Sequence, residues 1–217
     1  MSDDRRLEPE AFLDLVPQRQ RGRLKVYIGA AAGVGKTFRM LDEAHQLHER
    51  GVDVVLGFVE THRRRETEER IGDLEIVPRR KIQYREVELE EMDVDTIIAR
   101  KPEVVVIDEL AHTNAPGSPH TKRYQDVEEI VGTGINVITA VNIQHVESLN
   151  ALMKRVTGVD VRETVPDSFL ARADQIVNID VPVEALRERL REGRIYPGTD
   201  RKRAQEFFQA EQPRVAA

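Results

Sequence analysis

The chain contains no cysteine and no tryptophan, and phenylalanine and tyrosine supply only 5% of its 217 residues. Without thiols there is no disulfide framework, thiolate metal site or cysteine nucleophile, which fits a reducing, cytoplasmic setting. Long apolar runs are missing too. The longest stretch free of charge, residues 130–144, falls short of the roughly 18 residues a membrane helix needs, and Gly132 and Gly134 interrupt it. Direct membrane insertion is therefore not expected. The first 16 residues are acidic and amphipathic, with neither the basic start nor the apolar centre of an export signal. A surplus of positive charge is also absent: the net charge is −6, which argues against general nucleic-acid binding. The basic triplets at 63–65 and 79–81 then read as local features, most simply solvated turns or faces.

What the sequence does hold is a regular alternation. Short runs rich in Val and Ile at 24–28, 54–59, 104–107, 137–141 and 176–179 have the length and composition of strands buried on both faces. Between them, helical periodicity covers 37–50, 64–72, 93–100, 124–131, 145–157 and 183–192, with Gly51 and Gly193 at C-cap positions. This order predicts an α/β fold of three layers, a mostly parallel sheet of five or more strands with helices on both faces. Residues 1–22 read as a lead-in helix and basic linker, 23–196 as one domain, and 197–217 as a final helix and a partly disordered tail.

The first strand runs into GAAAGVGKT and then into an amphipathic helix. That is the strand, loop and helix context in which a phosphate-binding loop is credible. Ala30 stands where the first glycine of the strict pattern is usual, with Gly29 one residue earlier. Successive backbone amides must turn inward to make a concave anion site, so small residues are needed, and Gly29, Ala30, Ala31, Ala32, Gly33, Val34 and Gly35 form the loop. Lys36 is then expected to meet the β- and γ-phosphates of ATP, and Thr37 to bind Mg²⁺. The run VVVIDE ends a second buried strand with Asp108, the carboxylate expected to complete the metal site.

Glu109 follows directly, where a base could orient water; it could equally pair with an arginine or cap a turn. Asn142, after the strand at 137–141, is a candidate to sense the γ-phosphate or to tie down a loop. Glu60 and His62 stand at another strand end, open to a nucleotide role or to none. The stretch LAHTNAPGSPHTKRY is long and rich in turn formers, the form of a mobile or binding loop. His45 and His48 lack further ligand partners and are expected to face solvent.

Taken together, GRLKVYIGAAAGVGKTFRML, GFVETHRRRETEE, VVVIDELAHTNAPGSPHTKRYQDVEEI, NVITAVNIQHVESLN and RETVPDSFLARADQI resemble one family. It is the N-terminal cytoplasmic domain of the KdpD sensor histidine kinases, which regulate potassium uptake. The resemblance runs from about residue 22 to 196. It implies an ATP-binding regulatory domain, with its loop at 29–37 and its metal carboxylate at Asp108, working beside other domains of a membrane-bound sensor kinase or its response regulator. Ala32 departs from the family's frequent proline, which leaves the loop less rigid but still small. The chain lacks membrane segments, a phospho-accepting histidine and an ATP lid, so phosphorelay chemistry is not expected of these residues. Two other readings stay open on the residues: a slow ATPase or small-molecule kinase using Glu109, and a protein-interaction module.

Overall fold

The computed structural model describes residues 21–29, 33–61, 65–150 and 161–179. The elements run β1 (Leu24–Gly29), α1 (Lys36–Glu49), β2 (Val54–Phe58), α2 (Arg65–Ile71), β3 (Glu75–Ile76), β4 (Arg80–Tyr84) and β5 (Val87–Glu91). They continue with α3 (Val94–Arg100), β6 (Val104–Ile107), α4 (Arg123–Gly132), β7 (Asn136–Asn142), α5 (Asp167–Leu170) and β8 (Gln175–Ile179). Residues 147–150 are also helical. The expected helices at 10–16, 183–192 and 201–209, and the second half of the one at 145–157, lie outside the described residues.

Six strands form one sheet in the order β3-β2-β6-β7-β1-β8, and every neighbouring pair is parallel. Its two faces carry separate cores. On one, Met40, Leu41 and Ala44 of α1 recur at helical spacing and pack on Tyr27, Leu56, Val106 and Ile138. On the other, Ile97 of α3 with Val127, Ile130 and Val131 of α4 pack on Val26, Val55, Val105 and Val137. Central strands buried on both faces must be apolar at every position, so β2 and β6 read VVLGF and VVVI. The predicted three-layer architecture is present, with a sheet that is parallel throughout its described strands.

The hairpin β4–β5 stands apart as a separate antiparallel pair. Its strands, RKIQY and VELEE, are exposed over most of their length and stitched by charge across the ladder, as in Lys81 Nζ to Glu88 at 2.8 Å. Their apolar residues, Ile82 and Tyr84 against Leu89 and Val87, alternate over only two positions in each strand, and neither strand, nor β3 and α5, was expected from the sequence. His45 also departs from expectation. Its side chain is only 18% exposed, and its Nε2 lies 2.8 Å from the Arg70 carbonyl, tying α1 to α2. His48 is exposed.

Candidate nucleotide site

A parallel sheet brings the C-terminal ends of its strands to one edge, and ligands of α/β folds collect there. Three strand ends meet around a cavity of about 80 Å³. From the β1 end come Gly33, Lys36 and Thr37; from β6, Asp108, Glu109 and His112; from β7, Asn142 and His145, with Glu163 closing the wall. That volume corresponds to roughly two to three waters' share of liquid, so it suits the phosphate end of a ligand.

The turn into α1 is built by glycine. Gly33 and Gly35 have φ of 80° and 99°, left-handed values that other residues adopt only at a cost. At Gly29 a Cβ would lie 2.5 Å from Val34 Cγ2 and 3.2 Å from the Lys36 stem, so a side chain there would displace the lysine. Val34 is buried beneath the turn. Ala30, Ala31 and Ala32 lie outside the described residues. The start of α1 differs from that of α3. In α3 the Asp93 carboxylate caps the amide of Thr96 and Asp95 follows in the first turn; α1 has no side-chain cap and no acid in its first turn. The start of α1 thus carries no capping side chain at Gly35 and no acid in its first turn, and the positive end of a helix dipole favours an anion.

Lys36 is 9% exposed, and its ammonium donates to Asn142 Oδ1. Thr37 Oγ1 donates to Asp108 Oδ2 at 2.7 Å, and the Glu109 amide donates to Asp108 Oδ1 at 2.8 Å. Burial pushes the Asp108 carboxyl above its ordinary range, with Thr37 and the Glu109 amide pulling it back. Glu109 itself has a φ of 57°, a left-handed value for a residue with a side chain, stored where the cavity begins. The sequence candidates Lys36, Thr37, Asp108, Glu109 and Asn142 are therefore brought together. Glu60 is not among the cavity residues and lies 3.5 Å from Arg79; His62 lies outside the described residues.

Of the wall residues, Glu163 had not been singled out. His145 Nδ1 lies 2.7 Å from the carbonyl oxygen of Glu163, and the Glu163 carboxylate accepts the Thr113 amide at 2.9 Å. A carbonyl only accepts, so Nδ1 carries the proton and Nε2 of the neutral ring is left with its lone pair. This clasp joins three segments distant in sequence, around 113, 145 and 163.

Behind the wall lies a cluster of buried charge. Arg123 is 0% exposed; it pairs with Glu91 Oε2 at 3.1 Å, and its guanidinium sits 3.7 Å from the Phe58 ring centroid. Glu91 Oε1 lies 3.0 Å from His112 Nε2 and accepts the Ala115 amide at 2.7 Å. Burial alone would raise the Glu91 carboxyl, but His112, the Ala115 amide and Arg123 outweigh it and hold it below its ordinary range. Asp126 lies 2.8 Å from His120 Nδ1 and accepts from Asn114 Nδ2 at 2.6 Å. These contacts close the loop between β6 and α4 on itself, together with the Thr113–Lys122 bridge and the Asn114 amide to the Thr121 carbonyl at 3.0 Å. The sequence signal was slight: an arginine and two acids in an otherwise charged stretch.

Residues 20–214 match the family described as the osmosensitive K⁺ channel His kinase sensor domain, KdpD. The sensor protein KdpD of Escherichia coli is 48% identical over 203 residues, covering 94% of this chain and 23% of that protein. Its namesake in Mycobacterium tuberculosis is 49% identical over 177 residues, covering 82% and 21%. The one from Clostridium acetobutylicum is 45% identical over 186 residues, covering 86% and 21%. The chain thus spans about a fifth of the length of these relatives.

Proposed function

Since this chain belongs to the KdpD sensor-domain family, we propose that it is the cytoplasmic ATP-binding regulatory domain of a two-component sensor kinase that controls potassium uptake. The observation that carries the reading is the convergence of Lys36, Thr37, Asp108, Glu109 and Asn142 on one cavity, beside a helix start with neither cap nor acid. In this reading the loop at 29–37 wraps the phosphates, and Lys36 leaves Asn142 for the γ-phosphate.

Thr37 Oγ1 and Asp108 Oδ2 are hard oxygen donors 2.7 Å apart, the donor type Mg²⁺ takes. Among the described residues no group of three or more His, Cys, Asp or Glu forms a metal cluster. Mg²⁺ usually keeps several waters and is held by one or two carboxylates plus substrate phosphates. Bound there, Mg²⁺ would neutralise charge on the phosphates. Nucleotide occupancy would then shift the wall at 112–113, 145 and 163 and alter how neighbouring kinase domains or the response regulator dock.

Isothermal titration of ATP with Mg²⁺ against the wild type and Lys36→Ala tests the reading. Loss of a charge-assisted contact should weaken binding roughly 10- to 100-fold. Equal affinity for both proteins would overturn it.

A second reading is favoured by the left-handed backbone of Glu109 at the cavity: slow ATP hydrolysis or phosphoryl transfer, with Glu109 as the base. Phosphate release that persists unchanged in Glu109→Gln would exclude that role.

A further inference from the structure

The peptide group joining Asp108 to Glu109 is held at both ends. Its N–H, on Glu109, is taken by the carboxylate of Asp108 at 2.8 Å. Its carbonyl, on Asp108, faces Arg123 Nη1 at 3.5 Å in the buried interior, a long contact that acts chiefly as charge on dipole. This peptide plane decides where Glu109 departs, at a φ of 57°. Arg123 is in turn fixed from two other directions. Glu91, the last residue of β5, takes Nη2 at 3.1 Å, and the Phe58 ring at the end of β2 lies beneath the guanidinium at 3.7 Å.

A fully buried guanidinium is costly unless every contact is well made, and a simpler anchor for α4 would be apolar. Its five donors spread in a rigid plane, and that plane reaches the hairpin carboxylate and the Asp108 carbonyl together. A lysine ammonium has three donors on one nitrogen and lacks the fixed span between Nη1 and Nη2.

We infer that Arg123 is a positioning residue for the nucleotide site: it sets the Asp108–Glu109 corner, and Glu91 of the hairpin arm holds it in register. This rests on the proposed nucleotide reading, in that the corner's carboxylates are taken to serve a metal-bound nucleotide. Arg123 does not itself line the cavity; it acts through the peptide plane. Its loss therefore disturbs the Mg²⁺-dependent part of binding, which runs through Asp108, and spares the metal-free part, which runs through the loop amides and Lys36.

The test uses the full chain. Arg123→Met combined with Glu91→Gln removes both charges, so neither is left buried alone, and keeps the fold. Arg123→Lys keeps the ion pair and loses the plane. Affinity for ATP is measured with and without Mg²⁺, and amide hydrogen exchange is followed at Glu109, with Val105 and Val106 as controls. For both variants we expect metal-free affinity within about 2-fold of wild type, a Mg²⁺-dependent gain cut at least about 10-fold, and faster exchange at Glu109 with unchanged controls. An unchanged Mg²⁺ gain, or an equal fall in both affinities, would overturn the inference. If the wild type binds no ATP under either condition, the proposed function fails by itself. Exchange then decides alone, and wild-type protection of Glu109 in both variants would overturn the positioning role.

Discussion

Two clusters of buried charge share the Asp108–Glu109 corner, one on each side of it. On the inner side, Arg123 meets Glu91, Asp126 meets His120 and Asn114, and loop amides take the remaining carboxylate oxygens. On the cavity side, Lys36 donates to the amide oxygen of Asn142, and Asp108 accepts from a hydroxyl and an amide. The inner cluster answers each carboxylate with a cation or an imidazole. On the cavity side the hydrogen bonds of Asp108 run to a hydroxyl and a backbone amide, which carry no charge. Burial is expensive in both places, and only the second borders the cavity where a charged ligand is proposed to enter.

Their protonation behaviour follows the same division. Burial raises Asp108, so the stability linked to it is full below the unfolded carboxylate range and is lost as pH rises through the folded pKa. Glu91 is lowered by its partners, so its stabilisation is present above the unfolded pKa and disappears as pH falls through the folded one. One carboxylate is a net cost to the empty fold at neutral pH, the other a net gain.

The largest expected effect is on the inner side. Glu91→Ala leaves Arg123 as an uncompensated buried cation and should cost about 3–5 kcal/mol in urea unfolding; a cost below about 1 kcal/mol would erase the distinction between the clusters. Next, Lys36→Ala should lower MgATP affinity by roughly 1.5–3 kcal/mol while thermal stability stays within a few degrees. Smaller still, Asp108→Asn should raise the Tm by about 2–4 °C, since the amide can keep both the Thr37 and Glu109 partners without a buried charge, and should abolish the Mg²⁺-dependent gain. A lowered Tm would show that Asp108 stabilises the empty fold. The smallest effect is at the corner. Glu109→Gly relieves a left-handed backbone worth about 1–2 kcal/mol but adds unfolded-state entropy of about 0.5–1 kcal/mol. A net gain of about 0.5 kcal/mol in chemical denaturation is expected, and a loss would place the strain elsewhere.

The sheet was legible from the sequence because its strands are buried on both faces: Val104, Val105, Val106 and Ile107 leave no other reading, and β1, β2, β7 and β8 fall within two residues of their apolar runs. The glycine-built turn into α1 was legible for a different reason. Its glycines and its lysine are neighbours in the chain, so the local order of residues is itself the geometry. The hairpin was not legible, because its apolar alternation is only two residues long in each strand and lies among charges such as Lys81 and Glu88. Nor was the inner cluster: Glu91 and Arg123 lie 32 residues apart, and an arginine gives no sign in sequence that it will be enclosed. Asn142 was read as a sensor or a loop tie; in the structure it holds Lys36.

The β1–β8 pairing sets how close the ends of the two strands lie. Gly29, where β1 ends, is in register with Ile179, the last residue of β8. Adjacent strands lie about 4.8 Å apart. The end of β1 therefore lies one strand spacing from the end of β8, so a displacement there need cross no core to reach β8.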